Sequence, residues 1–386
     1  MIESTISRFA GELVALRRDL HMHPELMFEE VRTSSIVAEE LRRLGFEVTT
    51  GIAGTGVVGT LRNGTSNRAI GIRADMDALP ILETTNLAYA SRTPGKMHAC
   101  GHDGHTTMLL GLARYLAETW NFNGTVNLIF QPAEEDQGGA RRMLQEGLLR
   151  RFPCDAVFAL HNIPGEAPGQ ILVRPGAITA AVDIVDVVVR GVAGHAALPH
   201  LAIDPIVAAS SIVMALQTIV SRNLDPHDPA VVTVGAINGG VMATAIPESV
   251  RLQIGVRTVS KQVGALMARR LPEIIQAQAQ SYGCVADVNY MTGEDYPPGY
   301  NTPELAGLVR DVALAMGQDP ERVDMRGPFM FSEDFACIQE VVPSCYLGIG
   351  NGASRGLHDP GYDFNDELLV KGPAFWARLV ERFLPA

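Results

Sequence analysis

Cysteine is scarce in this 386-residue chain: five residues, odd in number and scattered at Cys100, Cys154, Cys284, Cys337 and Cys345. That count argues against a disulfide framework and makes a reducing, cytoplasmic compartment the expectation. Basic residues are also in deficit. Thirty-one Lys and Arg face 43 Asp and Glu, for a formal net charge of −12, which argues against a nucleic-acid partner held through its phosphates. No uninterrupted apolar run approaches the ~20 residues that span a bilayer. The opening MIESTISRFAGELVALRRDL carries charges where a secretion signal needs an apolar core, so no membrane partner is expected. The glycines of GIGNGASRG precede no GKS or GKT and open no GxGxxG helix, which leaves out a phosphate loop. Low-complexity tracts and internal repeats are absent.

What the chain does contain is enough apolar material for a real core. Apolar residues make up 47% and charged residues 19%, an ordinary balance for a globular protein, and the length suggests two domains or three. Residues 5–20 and 30–45 each show helical spacing of apolar residues. Buried strands are expected in 66–75, 125–130 and 155–160, with helices between them after His102 and through GARRMLQEGLL. Strands alternating with helices imply parallel pairing under a helical cover. From residue 181 the order changes to βαββαβ over about 115 residues, enough for an independent two-layer domain of the ferredoxin-like kind. The expected architecture is α/β: a mostly parallel-stranded domain (1–180 and 296–386) with a smaller βαββαβ domain (181–295) inserted.

Chemistry-bearing residues gather where the first domain's strands end. The first strand runs into Asp75-Met76-Asp77, and His98-Ala99-Cys100-Gly101-His102-Asp103-Gly104-His105 opens the next helix. TVNLIF leads to Gln131-Pro132-Ala133-Glu134-Glu135, and DAVFAL to His161-Asn162. Ligands of open α/β sheets sit beyond the carboxyl ends of the strands, so the four groups are expected to converge. Thiolate and imidazole suit zinc-like ions, and carboxylate suits harder ones such as manganese. Cys100 and His102, two apart, point the same way if that segment is extended. Adjacent Glu134 and Glu135 diverge on an extended chain, one toward a metal and one across the cleft. One ligand and one proton acceptor is what metal-assisted hydrolysis needs.

Other polar residues have plainer readings. His227, beside Pro226, reads as a loop residue. His21-Met22-His23 lies between helices, so capping or packing is favoured over metal binding. The four remaining cysteines read as small buried apolar side chains. For Cys100 with His98, His102 and His105 a purely structural reading is poor, because burying so many polar groups together is costly.

On these residues the sequence resembles the dinuclear-metal aminoacylase and carboxypeptidase family, in its branch of hippurate hydrolases, N-acyl-amino-acid amidohydrolases and auxin-conjugate hydrolases. The matching text is RRDLHMHPEL, GIRADMDALPI, MHACGHDGHTTMLLG, FQPAEE, ALHN, GVAGHAALPH, IPES, SEDFA and LHDPGYDFND, in matching order along nearly the whole chain. The resemblance implies that Cys100, His102, Glu135, His161 and His358 hold two divalent ions per subunit. These would be manganese or zinc, with cobalt or nickel as further options, and Cys100 or a water would bridge them. It implies Glu134 as general base and Asp77 as the acid that orients a ligand imidazole. Asp75 stands where other branches carry a His ligand and is not expected to ligate. The inserted domain would be the lid and dimerisation domain of a homodimer. His195 would reach a neighbouring active site to polarise the scissile carbonyl. Arg257 is a candidate for the substrate carboxylate, a surface salt bridge being its plain alternative. Thr244 replaces an Asn common in this branch, and Phe331 stands where a small residue is usual; both bear on substrate binding.

The implied reaction is amide hydrolysis of an N-acyl amino acid by metal-activated water, with Glu134 moving the proton. A dipeptidase or carboxypeptidase with the same site is the nearest alternative. A metal-dependent regulatory protein fits poorly with an intact Glu134-Glu135 pair, and thiol catalysis is at odds with Cys100 as a ligand.

Overall fold

The computed structural model describes residues 2–386. The chain divides into two units, one built from the chain up to Ile178, Tyr300–Gly327 and Asp334–Ala386, the other from Thr179–Gly299 and Pro328–Glu333.

The larger unit is organised on a seven-stranded sheet. Its order is Glu47–Ile52, Gly56–Asn63, Gly124–Gln131, Ala69–Asp75, Ala156–Pro164, Ser344–Gly352 and Ile171–Leu172. The four strands Gly124–Gln131, Ala69–Asp75, Ala156–Pro164 and Ser344–Gly352 are parallel. The flanking pairings are antiparallel, so the sheet is mixed, and the parallel pairing expected from the sequence belongs to its centre. The outer pair Glu47–Ile52 and Gly56–Asn63 is a hairpin that the helix–strand alternation does not announce. All residues of Ala69–Asp75 and of Ser344–Gly352 are buried, as strands covered on both faces must be.

The helix His102–Thr119 lies within the core with Leu368–Phe383, and most of its residues are buried. The apolar periodicity over 5–20 resolves into two helices, Ile2–Ser7 and Ala10–Met22, and that over 30–45 into Val31–Arg43. Gly104 on the central helix has no room for a side chain: a Cβ there would lie 2.3 Å from the Phe364 ring.

The smaller unit carries a four-stranded antiparallel sheet in the order Ala230–Gly239, Ser249–Thr258, Ala181–Arg190 and Val285–Thr292. With helices Pro205–Asn223 and Lys261–Ser281 between its strands, it is the expected ferredoxin-like βαββαβ arrangement. Pro205–Asn223 is long and apolar enough by composition to cross a bilayer, with a mean hydropathy of 1.4. Its Ala208, Ala209, Ile212, Leu216 and Ile219 are fully buried in this unit's core, as in the core helix of a small two-layer domain.

One segment falls on the other side of the expected boundary. Residues 328–333, assigned from sequence to the returning 296–386 stretch, belong to the smaller unit. The Ala180 N–H donates to the Phe331 carbonyl at 3.0 Å, and the Arg257 guanidinium donates to Ser332 Oγ at 2.7 Å.

Gly104→Ala should destabilise the protein by about 1–3 kcal/mol through overpacking against Phe364. Chemical denaturation measures it: Gly104→Ala should cost less in a Phe364→Leu background, where the clash is relieved, than in the wild type, and an equal cost in both backgrounds would contradict the assignment.

Candidate active site

The central parallel strands carry the site. Asp75 closes its strand, and Asp77 follows two residues later. His161 lies inside Ala156–Pro164, where it pairs in register with Gly348. The central helix starts at His102, directly after Gly101, whose φ is +91°. A side chain at Gly101 would lie 2.3 Å from Asn162 Oδ1 and 2.8 Å from the Tyr362 hydroxyl. Glycine is therefore required where the chain turns from Cys100 into the helix.

These elements bring the predicted donors together. Cys100, His102 and His161 place one donor atom each within 4.8 Å of one another, and so do Cys100, Glu135 and His358. Cys100 is thus common to two triads. Its sulfur lies 3.3 Å from His161 Nε2, while His161 Nδ1 faces the Asn162 carbonyl at 2.9 Å, an arrangement that leaves Nε2 for the cluster. His358, with φ +63°, is anchored by its N–H to the Ala99 carbonyl at 2.9 Å, and its Nε2 lies 3.3 Å from Glu135 Oε2. His102 Nδ1 meets Asp77 Oδ1 at 3.2 Å, and Asp77 Oδ2 accepts the Glu135 backbone N–H at 3.0 Å. Asp77 so orients both a ring and the backbone of a second donor.

Two sequence arguments are corrected here. Cys100 and His102 meet although their segment is not extended, because a left-handed Gly101 turns it into a helix. Glu134 and Glu135 do not diverge: each places an oxygen within 4.8 Å of the other's and of His102. The physical reason is that the strand ends at Gln131 and the chain bends at Glu135, so the pair does not lie on the extended backbone on which neighbours would point apart.

Asp75 is engaged otherwise. It lies 2.6 Å from Arg73 Nη1 and 2.6 Å from His105 Nδ1. It also groups with His102 and His105. Asp334, unassigned in the sequence, is a hub behind the glutamates. It accepts from Arg73 Nη2 at 3.1 Å, from Gln131 Nε2 at 2.8 Å and from the Ala140 N–H at 2.8 Å, and its own N–H lies 3.4 Å from Glu134 Oε1. His21 takes the packing role expected of it: it is fully buried, 2.8 Å from Asp103 and 3.5 Å from Glu83. His23 faces the Asp19 carbonyl, and His227 is exposed beside Asp225.

The donor set and its electrostatics fit a metal. His102 Nε2 and Glu135 Oε1 are buried, lie 3.7 Å apart and, among the described residues, have no hydrogen-bond partner, a costly state that a shared cation would relieve. Burial works against a charged His102, but Asp75, Asp77 and Glu135 outweigh it and lift the ring to about 10. Burial, then Glu135 and Glu134, push the Cys100 thiol well above its usual range. Burial, with His105 next, holds His161 well below its ordinary value, and a neutral imidazole is the ligating form.

In the smaller unit, Gly194–His195 pairs with Ala245–Ile246, and the Ala196 N–H donates to the Thr244 carbonyl at 3.0 Å. His195 and Thr244 therefore neighbour each other on one two-stranded antiparallel ribbon. His195 Nδ1 accepts the Ala197 N–H at 3.1 Å, which leaves Nε2 as the protonated, outward nitrogen. Arg257 is half-buried, burial lowers its pKa, and Ser332 is its hydrogen-bond partner. Among the described residues it makes no ion pair. Phe331 stacks on Phe329 with ring centroids 4.8 Å apart.

Residues 71–382 match the model of peptidase family M20/M25/M40. The chain belongs to this family. It is 40% identical over 374 residues to the hippurate hydrolase of Campylobacter jejuni, covering 97% of each chain. It is 39% identical to IAA-amino acid hydrolase ILR1-like 4 of Arabidopsis thaliana, covering 97% of this chain and 86% of that one. Among solved structures it is similar to a dinuclear metal binding peptidase of the M20 family from Bacillus subtilis. That similarity has a TM-score of 0.83 at 32% identity and covers 97% of this chain and 98% of that one. The protein is thus an M20-family metal-dependent hydrolase.

Because Cys100 and His102 both carry protons at neutral pH before a cation arrives, loading the chelated protein with Zn²⁺ should release about two protons per chain. Titration in a weakly buffered indicator measures this. Cys100→Ala should release about one fewer, and an unchanged count would contradict the assignment.

Proposed function

We propose that this M20 hydrolase is an amidohydrolase that cleaves N-acyl amino acids, aryl-acyl ones included, to a carboxylate and a free amino acid. The observation that carries the reading is the pair of donor triads sharing Cys100, with Glu134 and Glu135 both in reach of His102. The names of the hippurate and auxin-conjugate relatives support the substrate class.

Cys100, His102, Glu135, His161 and His358 would hold two divalent ions, manganese or zinc ahead of cobalt or nickel. Bound there, such ions supply Lewis acidity, which makes water nucleophilic near neutral pH and polarises an amide carbonyl. Glu134 takes the proton of the attacking water and delivers it to the leaving amine nitrogen. Asp77 keeps the His102 ring and the Glu135 backbone in place. His195 offers its Nε2–H to the oxygen that gains charge on the acyl carbon; one preorganised donor of this kind is worth about 3–4 kcal/mol.

Arg257, half-buried without an ionic partner, pairs with the substrate carboxylate. Thr244 and the Phe329–Phe331 stack lie in the same unit and shape selectivity. The exposed apolar side chains Val207 and Met214 on one helix and Val231 and Ile237 on an edge strand support a homodimer through the smaller unit, with His195 serving the neighbouring site. A cytoplasmic enzyme without nucleic-acid or membrane partners completes the proposal.

A second reading, dipeptide or carboxypeptidase activity, draws on the Bacillus subtilis relative's description as a peptidase. A panel of N-acetyl, N-benzoyl and indole-acyl amino acids against dipeptides, with Mn²⁺ or Zn²⁺ added, separates the two. Acyl substrates should dominate; preference for dipeptides would favour the second reading. Glu134→Gln should bind metal normally and lose about 10²–10⁴-fold in kcat. Near-normal turnover would remove Glu134 from the base role.

A further inference from the structure

Glu30 is fully buried at the start of the helix Val31–Arg43, and among the described residues no cation pairs with it. Its two oxygens are nevertheless committed. Oε2 accepts the Thr55 hydroxyl at 2.6 Å, and Oε1 accepts the Ala133 backbone N–H at 2.9 Å. Burial pushes the carboxyl up to about 7. A carboxyl kept in such a place without a counter-ion calls for a reason, and the residue it holds supplies one.

Ala133 adopts φ +53°, a left-handed conformation that a β-carbon disfavours and that persists only where the surroundings over-determine it. The clamp is two-sided. The Ala133 carbonyl accepts the Gly139 N–H at 3.0 Å, and a Cβ on Gly139 would lie 1.7 Å from the Pro132 carbonyl oxygen. Immediately after this reversal come Glu134 and Glu135, whose oxygens converge on His102. On an extended chain successive side chains face opposite ways; here the chain bends at Glu135, and the hydrogen bonds at Ala133 fix the point from which the pair of glutamates leaves the strand.

We propose that Glu30 is a positioning residue for the Glu134–Glu135 pair, acting through the Ala133 amide N–H it accepts and the Thr55 hydroxyl that orients it. It does not touch the reacting atoms. The inference rests on the reading that Glu134 and Glu135 work in the site described above.

Two single-atom changes of opposite kind test it. Glu30→Asp keeps the charge and loses reach. Glu30→Gln keeps reach, since its amide oxygen can accept from Ala133 and its NH₂ can donate to Thr55 Oγ1. Mn²⁺ affinity by isothermal titration, and kcat and KM with N-benzoylglycine, are measured alongside the melting temperature. Glu30→Asp should lower kcat and Mn²⁺ affinity each by about tenfold or more, with KM within about threefold. Glu30→Gln should recover most of both losses. An Asp variant equal to wild type, or a Gln variant as impaired as the Asp one, overturns the proposal.

If Glu30→Asp does not fold, Thr55→Val decides, because it removes only the orienting hydroxyl. A smaller fall of the same pattern supports the proposal, and wild-type kcat and Mn²⁺ affinity overturn it. Glu134→Gln is run in parallel. Turnover surviving in that variant indicts the base assignment, whereas the Mn²⁺ readout of the Glu30 variants still reports on positioning.

Discussion

Four carboxylates crowd around one imidazole in this protein, and that concentration of buried negative charge governs the site. Asp75, Asp77 and Glu134 are buried, and the Glu135 side chain is 5% exposed. Removing charges from water costs several kcal/mol each unless opposite charge is close. Arg73 answers for Asp75 and Asp334. For Asp77 and Glu135 a nearby positive charge is the imidazole of His102, which Asp75, Asp77 and Glu135 together lift. Divalent cations would resolve the conflict by taking the place of protons on His102 and Cys100, and the clustered donors fit such ions.

The fold delivers these groups through backbone features that cannot carry ordinary side chains or ordinary dihedral angles. Gly101 turns the chain from Cys100 into the central helix against Asn162 and Tyr362, and Gly104 lets that helix lie on Phe364. Ala133 and His358 both hold positive φ. One sits before the paired glutamates, and the other is itself a donor. Strain concentrated at such positions is sustained by the buried strands around it, and it places donors from residues 100 to 358 in one pocket.

Much of this was legible in the sequence. The crowding of His98, Cys100, His102 and His105, and the placing of Asp75, Gln131 and His161 near the ends of buried strands, pointed to one crevice. The βαββαβ order of the smaller unit followed from strand and helix lengths alone. The outer hairpin was less visible, because EVTTGI and GVVGTLRN are short and broken by glycine. Residues 328–333 join the smaller unit through backbone and side-chain hydrogen bonds that no local pattern encodes. The convergence of Glu134 and Glu135 was hidden for a sharper reason. It depends on a bend at Glu135 just past the end of the strand, and nothing in Pro-Ala-Glu-Glu advertises one. Glu30 and Asp334, which hold that loop from 103 and 203 residues away, reveal themselves only through long-range contacts.

Anomalous diffraction from crystals soaked in Mn²⁺ or Zn²⁺ tests the central claim most directly. The account predicts two peaks, one ringed by Cys100, His102 and His161 and the other by Cys100, Glu135 and His358. A single peak elsewhere on the surface, or ions ringed by carboxylates with Cys100 left outside, would contradict it.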